Sequence, residues 1–79
     1  MNAFPELGAR LRAARKRGYP NDDLAAFALR IGVSRATLQK MEKGDMSVAI
    51  GRYFAAAERL GLSDGFDALF AQSGSMFDD

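Results

Sequence analysis

Seventy-nine residues, 48% apolar and 27% charged with a net charge of +1, describe one small soluble domain. A cytoplasmic location without membrane contact is expected, because no apolar run approaches the ~18–20 residues of a bilayer span and Glu6, Arg10 and Arg12 break any leader-like stretch. The absence of cysteine and histidine excludes disulfides, thiol chemistry, the usual zinc sites and histidine-based catalysis, so no enzyme, cofactor or metal centre is expected.

The first predicted helix lies in "FPELGARLRAARKRG". Phe4, Leu7, Leu11 and Ala14 recur at helical spacing, and Pro5 suits a first turn, where its missing N–H costs nothing. Glu6 at the start and Arg15, Lys16 and Arg17 at the end complement the helix dipole, and Gly18 is the expected stop. Asn21 is the expected cap of the second helix, with Asp22 and Asp23 in its first turn. Leu24, Phe27, Ala28 and Ile31 form its apolar stripe, and Gly32 ends it. Ser34 caps a third helix, with Leu38 and Met41 inward and Gly44 as the stop. Ser47 is the expected cap of a fourth, with Ile50, Tyr53, Phe54, Ala57 and Leu60 on its buried side and Gly61 after it. Ser63 caps a short fifth helix carrying Phe66, Leu69 and Phe70. No alternating run and no hairpin turn argues for strands. The expectation is all-α: a compact five-helix bundle over residues 1–71, followed by a short mobile tail over 72–79.

Helices two and three, over residues 22–31 and 35–43, are joined by a three-residue turn containing glycine, which is the helix-turn-helix spacing. Gly32 permits positive φ, Val33 plugs the elbow, Ser34 caps the third helix, and the small Ala28 suits a close crossing. The stretch "FALRIGVSRATLQKMEKGD" resembles the Xre/Cro family of helix-turn-helix DNA-binding domains, through Gly32-Val33-Ser34 and Glu42-Lys43-Gly44, with Phe27-Ala28 where the family has Leu-Ala. "LGLSDGFDALF" resembles the family's closing turn and fifth helix, so the likeness covers residues 7–70. "GDMSVAIGRYFAAAERLGL" further resembles a subgroup found as antitoxins beside kinase-like toxins.

The resemblance implies a transcription regulator that binds double-stranded operator DNA, most simply as a repressing homodimer. It implies an Arg15–Glu42 ion pair clamping helix one to the reading helix. It carries base contacts onto Arg35, Ala36 and Lys40, with Gln39 beside them. Arg suits the guanine edge in bidentate fashion, Gln suits adenine, and the Ala36 methyl suits thymine. Ser34, Thr37 and Lys43 are better placed for phosphates. The same charges also fit an ordinary solvated helix face.

Two features depart from the family. The start of helix two, Asn21-Asp22-Asp23, carries negative charge where the family often binds phosphate, which would repel phosphate if it faced it or else serves only to cap the helix, and the link from Gly44 to Ser47 holds no basic arm. Both predict modest affinity per monomer and steep salt dependence. Residues 1–45 hold nine basic and five acidic side chains, about +4, whereas residues 46–79 hold two and five, about −3. Either the two halves serve different partners, or scattered charges keep a small domain soluble. Phe66 and Leu69 are expected to complete the core, and Phe70, Met76 and Phe77 to form an interface with a second copy or a toxin. The alternative function is an interaction module that neutralises such a partner with little reading of DNA.

Overall fold

The structure, a computed structural model, describes residues 3–72. Five helices follow one another: α1 (Pro5–Gly18), α2 (Leu24–Ile31), α3 (Arg35–Met41), α4 (Ile50–Arg59) and α5 (Asp64–Asp67). Among the described residues there is no strand, only one antiparallel bridge between Ala3 and Asp45. The fold is all-α. At its centre α2 packs against both α3 and α4. Phe27, Leu38 and Met41 are fully buried there, beside Ala28, Tyr53 and Ala56. Burying each of the three large side chains contributes roughly 1.5–3 kcal/mol. Leu11, Ile31, Val33 and Leu60 close over this cluster from the surrounding elements.

On α1 the expected stripe is only half used. Ala14 and Arg15 are buried and Leu11 half-buried, but Leu7 and Phe4 are exposed. Gly8 is the reason. It brings α1 so close to the turn after α3 that an added Cβ would sit 2.6 Å from the Glu42 carbonyl carbon and 2.5 Å from the Gly44 nitrogen. The Phe4 N–H then donates to the Gly44 carbonyl at 2.8 Å.

The second helix starts later than expected. Asp23, not Asn21, is its cap: the Asp23 Oδ1 accepts the Ala26 N–H at 2.8 Å. Asp22 stays outside the helix because Arg30 takes it, Nε to Oδ2 at 2.5 Å and Nη2 to Oδ1 at 3.3 Å. The Arg30 guanidinium also lies 4.6 Å above the Tyr19 ring, and that ring packs at 5.4 Å on Phe27. These contacts hold the 19–22 turn in place. The bond from Arg30 draws the Asp22 carboxyl below its ordinary range and raises Arg30 in return.

The fourth helix is also corrected. Ser47 does not cap it; the residue before Ile50 is Ala49, and no side chain caps the helix. Instead Asp45 organises the link. Its Oδ1 accepts the Ser47 N–H at 2.8 Å, and its carbonyl accepts the Tyr53 hydroxyl at 2.7 Å. Hydrogen bonds from Ser47 lower the Asp45 carboxyl, and burial followed by the Asp45 charge raises the Tyr53 phenol. With this start, Tyr53 and Ala56 face inward, while Ile50 stands 63% exposed and Phe54 lies at the rim. Ser63 precedes α5 without a side-chain cap bond. Phe66 is half-buried and packs edge-on against Phe54 at 5.2 Å. Leu69 is exposed and does not complete the core.

The approach of α1 to the 42–44 turn predicts opposite outcomes for two glycines. Gly8→Ala drives a methyl into backbone and should cost about 1–3 kcal/mol. Gly51→Ala, in helix α4 with open space beside it, should stabilise by about 0.4–1 kcal/mol. Urea unfolding of both variants checks the pair; equal shifts would mean that α1 does not touch the turn as described.

Candidate nucleic-acid interface

Helix α3 is positioned by its two ends and one buried side. At the turn before it, Gly32 takes φ 75°, and the Val33 N–H donates to the Ala28 carbonyl at 3.0 Å, a left-handed closing of α2. Ser34 then adopts extended backbone, and its hydroxyl accepts the Thr37 N–H at 3.0 Å. Its hydroxyl also donates to the Thr37 Oγ1 at 3.0 Å, leaving the Thr37 proton available to another acceptor. At the far end Gly44 takes φ 74°, and the Asp45 N–H donates to the Lys40 carbonyl at 3.1 Å. Leu38 and Met41 bury the inner side completely.

What remains is the outer face. Arg35, Ala36, Gln39, Lys40 and Lys43 are all exposed, Ser34 is exposed at the entrance, and Thr37 is half-exposed. Among the described residues, Arg35, Lys40 and Lys43 have no carboxylate within 4 Å. Four donors and one methyl are thus displayed around Ala36 with no internal partner.

The structure brings Arg15 and Glu42 together across 27 residues. Arg15 Nε meets Glu42 Oε2 at 2.5 Å, and Nη2 donates to Oε1 at 3.2 Å. Both side chains are more than nine-tenths buried. This fork-to-carboxylate contact ties α1 to the end of α3. Sequence reasoning missed Arg12, whose Nε lies 4.0 Å from Glu42 Oε1 with its side chain 58% exposed. Its signal is its place on the same sector of α1 as Gly8 and Arg15, one turn after the glycine. Also missed were Arg52 and Arg59 of α4. Their guanidinium groups reach the Gly32 and Arg30 carbonyls at 3.5 and 3.4 Å, at the end of α2.

Of the interface residues expected at the C-terminal end, Phe70 is 99% exposed and lies far along the chain from α3. Met76 and Phe77 lie outside the described residues, as does the tail beyond Gln72.

Two open clefts mark the surface. One, of about 360 Å³, is lined by Arg17, Tyr19, Arg59 and Leu62 among others. The other, of about 410 Å³, lies between α2 and α4. Neither is lined by any residue of α3. Among the described residues no three carboxylates are grouped to hold a metal ion, and no helix is long and apolar enough to cross a membrane. The chemistry on display is hydrogen-bond donation from a convex helix face.

A family model described as a helix-turn-helix matches residues 11–66. No curated protein and no solved structure matches the chain.

The clamp makes a quantitative prediction. Glu42→Gln leaves a buried guanidinium without its counter-charge and should cost about 3 kcal/mol or more. The double change Arg15→Met with Glu42→Leu should recover most of that loss. Denaturant midpoints measure both; a double variant as unstable as the single one contradicts the assignment of the cost to the unpaired charge.

Proposed function

The chain belongs to the helix-turn-helix family, and from that premise we propose that it is a sequence-specific DNA-binding transcription regulator acting as a homodimer on a palindromic operator. The observation that carries this reading is the outer face of α3. It presents unpaired donors around Ala36 on a helix whose inner side and both ends are fixed. Such a helix enters the major groove by its N-terminal residues. In this reading Arg35 takes a guanine edge, Gln39 an adenine, the Ala36 methyl a thymine methyl, and Lys40 a further base acceptor. Ser34, Thr37 and Lys43 hold phosphates.

Dimerisation is supported by exposed apolar residues of α4 and of the chain after α5. Ile50 and Phe54 lie one turn apart on α4, Phe54 touches Phe66, and Leu69 and Phe70 follow it, all but Phe66 exposed. Phe70 holds φ 66°, a conformation that aromatic residues seldom adopt. A two-fold contact on this ridge would supply the second reading helix that a palindrome with half-sites about 34 Å apart requires. The antitoxin form of the reading rests on the resemblance of residues 44–62, and the same exposed ridge suits a toxin as the second partner. A kinase-like gene beside this one would favour that form.

Arg35→Ala and Lys40→Ala should each weaken binding to the DNA upstream of the gene by about 1–3 kcal/mol and relax selectivity at one position of the site. Fluorescence anisotropy with single-base operator variants tests this, and unchanged affinity in both removes the assignment. Phe70→Asp places a charge on the proposed dimer ridge. Sedimentation should show a shift to monomer with the helical signal retained; a dimer as tight as the parent's places the interface elsewhere.

A further inference from the structure

Helix α1 carries five basic residues, and its geometry sorts them into two groups. At about 100° per residue, Gly8, Arg12 and Arg15 fall within one narrow sector, and Lys16 lies beside it. That sector faces the end of α3: Gly8 abuts the Glu42 and Gly44 backbone, Arg15 holds Glu42, and Arg12 approaches the same carboxylate. Arg10 and Arg17 project from the opposite side of the helix, where Arg10 pairs with Glu6.

Arg15 already supplies both hydrogen bonds to Glu42. Arg12, at 4.0 Å and largely exposed, makes no hydrogen bond there. Lys16, on the next turn, is exposed with no carboxylate within 4 Å among the described residues. Lys43 follows Glu42 directly. Two guanidinium groups thus approach one carboxylate, with the exposed Lys16 one turn along α1 from Arg12 and the exposed Lys43 next to Glu42 in the chain.

The start of α2, a natural place for a phosphate in this architecture, is meanwhile filled from within. The Asp23 carboxylate accepts the Ala26 N–H, and Asp22 is held by Arg30. A phosphate there would meet negative charge.

We propose that α1 is a second DNA-contacting element, in which Arg12 and Lys16 bind backbone phosphates at the groove edge beside α3. This rests on the DNA-binding reading above. The contact is to the sugar–phosphate chain and carries no sequence information, so it adds equally to every duplex.

The test uses the full chain and a random-sequence 20-base-pair duplex, with anisotropy titrations over a range of salt. Arg12→Gln with Lys16→Gln should make the slope of log K against log salt shallower by about 1.8, the release expected for two phosphate contacts. Arg10→Gln with Arg17→Gln removes the same charge from the far side and should leave the slope as in the parent. Circular dichroism confirms that both variants fold. Equal slopes for the parent and the Arg12/Lys16 variant overturn the proposal while leaving the DNA reading intact. Equal reductions in the two double variants also overturn it, because they show a general charge effect rather than a contact. A parent chain that binds neither this duplex nor the DNA upstream of the gene overturns both readings together.

Discussion

The Glu42 carboxylate stands at the point where α3, the turn after it and the first helix meet, and the placement of α3 depends on how that charge is held. A carboxylate more than nine-tenths buried must be compensated or it opposes folding. Arg15 compensates it with a planar fork that fixes direction as well as distance. A lysine at that position would supply charge without the second hydrogen bond. For a 79-residue chain, whose whole stability is expected to lie near 4–12 kcal/mol, losing this pair removes a large share of the margin. The backbone contacts of Gly8 and the Phe4-to-Gly44 bond lie beside it and depend on the same approach of α1.

The angle between α2 and α3 is fixed differently, by local chemistry rather than by charge. Gly32 in left-handed φ closes α2, Val33 packs on the core, and Ser34 opens α3 within three residues. Because the turn is that short, neither helix can rotate without unburying Phe27 or Leu38. Arg52 and Arg59 add donors to carbonyls at the end of α2, which ties α4 to the same turn.

This local chemistry is also what the sequence made legible. Gly32, Ser34, Leu38, Met41 and Gly44 act through their own backbone or through helical spacing, and both can be read from neighbours a few residues away. The misread features depended on contacts that reach beyond one or two helical turns. Asn21 is as good a cap as Asp23 in isolation; Arg30 and Tyr19 decide between them by holding Asp22 outside the helix. Ser47 lost its role because Tyr53, eight residues on from Asp45, takes the Asp45 carbonyl and sets where α4 begins. Leu7 and Ile50 fall on apolar stripes, yet Gly8 and Tyr53 make the nearby contacts and Leu7 and Ile50 stay in solvent. Hydrophobic spacing identifies a face to within a residue or so; it does not say which neighbour will occupy the contact.

The distribution of charge depends on the same tertiary contacts. The aspartates before α2 looked, in the sequence, like an obstacle to a polyanion. In the fold Asp22 is paired with Arg30, while Asp23 caps the helix start and keeps its charge, so the start of α2 is occupied from within the chain. The basic residues of α1 divide the other way: Arg15 is consumed internally by Glu42, Arg12 reaches the same carboxylate only at 4.0 Å and without a hydrogen bond, and Lys16 stays exposed. If α1 binds as proposed, a helix that supplies both the internal clamp and exposed cations beside it couples folding to binding at one place. Any displacement of α1 that weakened the Arg15–Glu42 contact would also move Arg12 and Lys16 away from the edge of α3. On the proposed reading, the grip on the backbone and the orientation of the base-reading face are therefore lost or kept together.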